Sequence, residues 1–454
     1  MAISKELQKF AVDELNKLVR IPSISFEGFD RKELDRSGEA TADLLRRSGF
    51  ENVKLSSISN CFPYVTGEFI TDPNLPTALV YAHHDVQPPG REELWKSRPF
   101  EPTERGGRLY GRGTADDKAG ILVHVAALKF FRDSKVKPPV NIRVIIEGEE
   151  EVGSDHLMEF LSANRKKLQA DVIVVTDTAN IDSGVPSITR SLRGLVVAEI
   201  EVRSLKAPLH SGMWGGGIVD PVQVLVKMLA SLTDDQGKIQ LKSLGAVRPH
   251  SVDGIPIQRE QFAEQAGVLR KESVPENFWH RIWYEPSFSI NAIQASSEKL
   301  ANNVVCDRAY TRIGIRLTSS EKAQEVSTEL LKKLKSMAPK TVEVNIKMQE
   351  PNDAWETDPH APKNRWAFEA AEEALQKAFQ QPPLYIGCGG SIPFIAAFEQ
   401  ALEAPVITFG VEDPYTLAHS ENESLLLSDF FKAIEAEVEF FKILPSKFAS
   451  RNKS

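Results

Sequence analysis

The stretch Thr77-Ala78-Leu79-Val80-Tyr81-Ala82-His83-His84-Asp85 decides the architecture. Residues 77–82 carry no charge and read as a buried strand, which stops abruptly at two imidazoles and a carboxylate. Working outward, residues 140–146 and 171–176 are two more short apolar, β-branched runs, and residues 120–131 and 154–168 between them have helical spacing. Strands that are apolar throughout, alternating with helices, predict an α/β domain with a buried, largely parallel sheet. Upstream, residues 5–19 have the apolar spacing of a helix that ends at Ile21-Pro22, because a residue preceding proline is pushed out of the helical region.

From about Pro186 the rhythm changes. A strand at 195–203, a helix at 220–232, strands near 287–294 and 309–318, a helix at 320–337 and a strand at 341–348 follow one another. This βαββαβ order predicts a ferredoxin-like unit. Roughly 55 residues with several prolines separate its first helix from its second strand; that is too long for a simple loop and implies an insertion with its own packing. After about Pro362 the α/β rhythm returns with helices at 364–379 and after Ile392 and a strand at 405–409. The expected organisation is therefore one discontinuous domain, residues 1–186 and 363–454, interrupted by a unit spanning 187–362.

Composition bounds the function. The chain has 454 residues, 41% hydrophobic and 26% charged, which exceeds a single core and requires at least two domains. Its apolar stretches, such as 120–128, are broken by His or Lys well short of the ~18–20 residues needed to cross a bilayer, so no membrane span is expected. No secretory signal is readable at the N-terminus. Three widely spaced cysteines, Cys61, Cys306 and Cys388, make no disulfide framework and fit a reducing cytosol. A net charge of −8 without a long Lys/Arg run argues against nucleic acid or anionic lipid as the main partner.

Ligands of open α/β sheets bind beyond the carboxyl ends of the strands. Here those ends deliver His83-His84-Asp85, Glu147-Gly148-Glu149-Glu150-Glu151 and Asp177, and the last strand leads on to His419. A further pair, Asp116-Asp117, lies just ahead of an apolar helix. Singly, each has an ordinary reading: a helix cap, a solvated first turn, a hydrogen-bonded histidine. Five such groups gathered at one edge of one sheet are not what independent accidents produce. Imidazoles and carboxylates without a thiolate suit zinc or a similar divalent ion poised for hydrolysis, not a closed structural site. Two divalent cations would be balanced by three ligating carboxylates and a hydroxide. Such a pair, ~3.5–4 Å apart, brings the pKa of a shared water to about 7, and a nearby carboxylate that does not ligate serves as general base.

The motifs His83-His84-Asp85-Val86-Gln87-Pro88, Gly111-Arg112-Gly113-Thr114-Ala115-Asp116-Asp117-Lys118, Glu147-Gly148-Glu149-Glu150-Glu151-Val152-Gly153-Ser154 and Ala418-His419-Ser420-Glu421-Asn422-Glu423 resemble the signatures of metallopeptidase family twenty. These dinuclear zinc hydrolases include cytosolic non-specific dipeptidase, carnosinase, aminoacylase and succinyl-diaminopimelate desuccinylase. The resemblance runs nearly the whole length, and it implies that the central unit is a lid through which a homodimer forms. It implies His83 and Asp177 as ligands of one ion, Glu151 and His419 as ligands of the other, and Asp116 as the bridge. Glu150 is then the general base, with Glu149 a neighbour, and Asp85 orients His83 through its free ring nitrogen. A cis Asp116-Asp117 bond is also implied. For the substrate, the resemblance points to His210, which reaches a neighbouring subunit's site, to Asn303 and Arg316 for the substrate carboxylate, and to the loop containing Gly390 and Ser391.

One departure concerns Gly387-Cys388, where dipeptidase relatives commonly carry Arg-Glu. No activating base is identifiable for Cys388 as a nucleophile. The leading expectation is a cytosolic zinc dipeptidase, with manganese or cobalt as substitute ions and a small peptide as partner; Asp177, where acylase-like relatives tend to have Glu, favours it. The alternatives are an amidohydrolase that removes an acyl group from N-acyl amino acids, and a non-catalytic scaffold of the same fold.

Overall fold

The computed structural model describes residues 2–58, 61–245, 252, 254–390 and 393–451. Thr77–His83 lies inside a six-stranded sheet with the order Glu51–Ser56, Tyr64–Phe69, Asn141–Glu147, Thr77–His83, Val172–Val175, Val406–Thr408. The last four strands are parallel, and the first two form an antiparallel hairpin along one edge. The sheet is thus mixed and mostly parallel, as expected.

Helices cover it on both sides. Ala78, Val80 and Ala82 enter a core walled by the helices Lys5–Val19, Lys118–Asp133, Arg365–Phe379 and Leu427–Ser450, whereas Leu79 and Tyr81 enter a second core against Leu157–Leu168 and Pro393–Leu402. Successive strand residues point to opposite faces, so a strand covered twice must be apolar at every position. Full burial of a valine or leucine side chain contributes roughly 1.5–3 kcal/mol, and this two-sided cover is what holds 77–82 as a strand. The helix Lys118–Asp133 runs hard against the sheet. A Cβ on Gly120 would sit 2.2 Å from Thr176 Oγ1 and 2.3 Å from Asp117 Oδ1, so only glycine permits this approach, which brings the Asp116-Asp117 turn up to the strand ends.

The inserted unit has a four-stranded antiparallel sheet ordered Ser287–Gln294, Arg308–Leu317, Gly194–Arg203, Glu343–Met348, with Pro221–Ala230 and Ala323–Met337 packed on one face. In chain order these strands lie second, third, first and fourth across the sheet, the ferredoxin-like arrangement. A small third sheet joins Trp355–Glu356, Ser187–Leu192 and Leu384–Cys388, and so links both crossings of the chain to the later α/β segment. Between the helix Pro221–Ala230 and the strand Ser287–Gln294, the short helices Arg259–Gln265 and Phe278–Tyr284 build their own cluster from Phe262, Phe278, Trp279 and Trp283.

Candidate metal centre

Because Thr77–His83, Asn141–Glu147 and Val172–Val175 are adjacent and parallel, the residues that follow them emerge together, with His83 directly opposite Glu147. Asp116 arrives from the turn ahead of Lys118–Asp133, and His419 from the loop after Val406–Thr408. His83 Nε2 lies 3.0 Å from Asp116 Oδ1, 3.9 Å from Asp177 Oδ2 and 4.0 Å from Glu150 Oε2. On the other side, His419 Nε2 lies 3.0 Å from Asp116 Oδ2 and 3.3 Å from Glu151 Oε2. The donors of His83, Asp116 and Asp177, and those of Asp116, Glu151 and His419, each fall within 4.8 Å of one another. Asp116 belongs to both groups and turns one oxygen to each.

The surrounding residues fix these donors. Asp85 is fully buried; its Oδ1 lies 3.4 Å from His83 Nδ1 and accepts the Glu150 N–H, while its Oδ2 accepts from Ser25 Oγ and the Glu151 N–H. The carboxylate thus caps the turn that carries two of the acids, and the Asp85 carbonyl oxygen lies closer to His83 Nδ1, at 3.1 Å. The Glu151 carboxylate accepts from both the backbone and the side-chain amide of Gln87. Asp117, joined to Asp116 by a cis peptide bond, accepts the backbone N–H groups of His83 and Gly120.

A second clamp was not picked out as part of the site from the sequence. Glu423 is fully buried and accepts from Arg112 at 2.7 Å and from the backbone N–H groups of Gly113, Ala115 and Asp116. Arg112 also donates to the carbonyls of Pro88 and Ser420, next to the loop residue His419, which holds a left-handed φ of 61°. Arg112 lies within the 111–118 motif and Glu423 within the 418–423 motif, and because 311 positions separate them no sequence period pairs them.

The electrostatics call for cations. Burial, and then repulsion from Asp177, pushes Glu150 well above the usual carboxylate range; burial and the charge of Asp116 do the same to Glu151. Burial raises Asp177 to about 6, with Asp116 adding to the shift. Asp116 moves the opposite way: hydrogen bonds from His419 and His83 outweigh its burial and hold it below the usual range. His419 is raised to about 9 by its hydrogen bond to Asp116. Among the described residues, the buried or half-buried carboxylates of Asp85, Asp116, Asp117, Glu150, Glu151 and Asp177 crowd around the imidazoles of His83 and His419, and divalent ions are the groups that relieve such crowding. The donor set therefore fits oxygen- and nitrogen-loving divalent cations.

Glu149 turns away from this cluster. Its carboxylate accepts from the Tyr64 hydroxyl at 2.7 Å and the His156 N–H, and lies 3.0 Å from His156 Nδ1. Glu147, raised to about 8 by burial, accepts from the Tyr81 hydroxyl and lies 3.2 Å from the Tyr64 oxygen. Both acids belong to a polar network behind the site.

The substrate candidates separate into two places. His210 and Asn303 sit side by side in the inserted unit: His210 pairs with Val304 in a two-stranded ladder, and the Asn303 carbonyl accepts the Ser211 N–H. Both are exposed, and the His210 ring accepts the Gly212 N–H without bonding to the carboxylate cluster. Arg316, next to last in the strand Arg308–Leu317, lies within electrostatic reach of Cys388, and burial lowers its pKa. The Cys388 thiol, itself pushed up by burial, accepts the Gly390 N–H and lies within electrostatic reach of Asp177. Arg316 and Gly390 thus both adjoin Cys388, and Ser391 lies outside the described residues. At Gly387 a Cβ would sit 2.7 Å from Trp283, which leaves no room there for a side chain.

A mostly parallel sheet with paired imidazole and carboxylate clusters at its carboxyl edge, sharing one aspartate, is the arrangement of a metal-dependent hydrolase. The sequence profile of Peptidase family M20/M25/M40 matches residues 79–442, and the chain belongs to that family. Among similar proteins is a cysteinylglycine-S-conjugate dipeptidase of Corynebacterium striatum, 30% identical over 80% of both chains. A Cys-Gly metallodipeptidase of Schizosaccharomyces pombe is 27% identical over 95% of each. The crystal structure of human carnosine dipeptidase 1 superposes with a TM-score of 0.85, covering 97% of this chain and 96% of that one at 27% identity.

Proposed function

We propose that the chain hydrolyses the peptide bond of unblocked dipeptides with two divalent cations, zinc foremost, held by His83, Asp177, Glu151 and His419 and bridged by Asp116. The observation that carries this reading is the pair of 3.0 Å approaches from the two Asp116 oxygens to different imidazoles. Similarity to dipeptidases over nearly the full length supports the substrate class.

Two ions so bound would supply an activated water and polarise the scissile carbonyl. Glu150, poised 4.0 Å from His83 Nε2, takes the proton of the attacking water and returns it to the leaving amine. Engagement of Glu149 by Tyr64 and His156 favours Glu150 in that role. Asp85 holds the His83 tautomer. Arg316 and Gly390 receive the substrate's polar end, and a bidentate grip on its carboxylate suits the guanidinium. His210 and Asn303, exposed on the inserted unit, act across a homodimer formed by that lid. The pairing of Ser187–Leu192 with Leu384–Cys388 favours lid boundaries near 193 and 353, slightly inside those expected from sequence. Unpaired Cys61, Cys306 and Cys388 support a reducing compartment, the cytosol.

A substrate panel tests the reading. Free dipeptides, including Cys-Gly and β-Ala-His, should be cleaved, and N-acetyl or N-succinyl amino acids should not. Exclusive turnover of the acylated set would replace the dipeptidase with an N-acyl amino acid hydrolase.

A further inference from the structure

We infer that the segment 278–285 of the inserted unit, clamped by Arg193, seats the 387–390 turn and Arg316, and thereby sets affinity for the carboxylate end of the substrate. This rests on the reading of Gly390 and Arg316 as substrate-binding and adds Arg193 and Trp283 as positioning residues.

Arg193 stands at the crossing between two sheets, just after Ser187–Leu192 and just before Gly194–Arg203. Only 5% of it is exposed. Its guanidinium donates to the Ile282 carbonyl at 2.8 Å, to the Glu285 carbonyl, and to the Arg316 carbonyl at 3.4 Å. Its backbone N–H donates to the Gly390 carbonyl at 2.9 Å. One residue therefore ties together the end of the insertion, the lid strand that carries Arg316, and the turn that carries Gly390. Hydrogen bonds from a buried cation are stronger than neutral ones, and a planar guanidinium offers five donors in a fixed fork, so it holds several carbonyls in one geometry.

Packing gives the same answer independently. The turn lies flush on the helix Phe278–Tyr284: a Cβ on Gly387 would meet Trp283 at 2.7 Å, and a Cβ on Gly389 would meet Ile282 at 3.1 Å. Trp283 is in turn backed by Trp279, with ring centroids 4.6 Å apart, and shares a cluster with Ile181, Ile257 and Ile386. The turn thus has a rigid floor built by the insertion, and its position follows that floor. The inserted residues, which have no part in the metal centre, acquire a role in substrate affinity.

The test is steady-state kinetics of the full-length, metal-loaded enzyme on a free dipeptide. Arg193→Met should raise KM by about tenfold or more, with kcat within about threefold and metal content unchanged, because only binding of the substrate's end is loosened. Arg193→Lys should fall between the two. Gly387→Ala, which keeps Arg193 but lifts the turn off Trp283, should raise KM in the same way. An unchanged KM in folded Arg193→Met overturns the inference, as does a fall in kcat with loss of metal. If Arg193→Met does not fold, an unchanged KM in Gly387→Ala overturns it. A wild-type enzyme inactive on all free dipeptides sinks the functional reading along with it, whereas an active wild type with unmoved KM values overturns the positioning inference alone.

Discussion

Glu149 and Glu150 are adjacent in sequence yet face opposite ways. Glu149 is saturated by Tyr64 and His156, whereas Glu150 faces the cluster beside His83 and Asp177. Glu150→Gln should keep the metal content and lose at least ~10²-fold in turnover, as removal of a general base does; Glu149→Gln should lose far less, and metal analysis with kinetics on both variants checks this. At this scale the sequence was informative where chemistry follows a strand end. His83 and Asp177 stand at or just past the ends of apolar runs, Glu150 and Glu151 follow three and four residues after Glu147, and parallel pairing gathers such strand ends. Arg112, Glu423 and Arg193 were not legible as site residues, because a buried ion pair or a carbonyl clamp between distant segments leaves no periodicity to read.

At the scale of elements, the 111–118 turn and the 418–423 loop are locked by Arg112 and Glu423, both almost wholly buried. Breaking a buried pair leaves an uncompensated charge and typically costs ~3–5 kcal/mol. Glu423→Gln should accordingly lower thermal stability and also weaken metal binding, since the same carboxylate holds the Asp116 N–H; calorimetry with metal titration measures both. A second clamp, Arg108 with Asp413, predicts a pH effect. Although burial opposes it, the hydrogen bonds from Arg108 hold Asp413 below its ordinary 3.8. A depressed carboxyl stabilises the fold above its unfolded pKa and loses that contribution as pH falls through the folded value, so the effect lies below about pH 4. Arg108→Met should flatten this part of the acid-unfolding profile; an unaltered acid limb would exclude the pair as its source.

Two of the longer helices escaped the sequence pattern for physical reasons. Arg31–Ser48 buries Ser37, Gly38 and Thr41 along with its leucines, so its inward face is not a plain apolar stripe, and a Cβ at Gly38 would meet Leu55 at 2.9 Å. Leu427–Ser450 packs against both Lys118–Asp133 and Arg365–Phe379, is apolar on much of its circumference, and contains Pro445. By contrast, 5–19 and 364–379 have a clean helical period, and the elements observed, Lys5–Val19 and Arg365–Phe379, fall within a residue of it.

For the whole molecule, the lid carries groups that the metal centre lacks. His210 and Asn303 are solvent-facing, and nearby Met213 and Trp214 are exposed, as are Ile290 and Ile293 on the sheet's edge strand and Val226 on its covering helix. In the proposed lid-to-lid dimer this apolar surface would be covered, and each His210 would serve the partner's site. His210→Ala should slow turnover with metals still bound, and mixing it with Glu150→Gln should restore part of the activity through mixed dimers. No recovery after verified subunit exchange would place each site within one subunit.

The proposed chemistry turns on Asp116 joining two cation sites into one catalytic centre. Titration of zinc into chelator-stripped protein, with bound metal and dipeptide hydrolysis followed together, addresses that joining without an intermediary. Two ions per chain should bind, with full hydrolysis only when the second is in place, and Asp116→Ala should lose both. Full activity with one ion, or in metal-free protein, would contradict a shared centre.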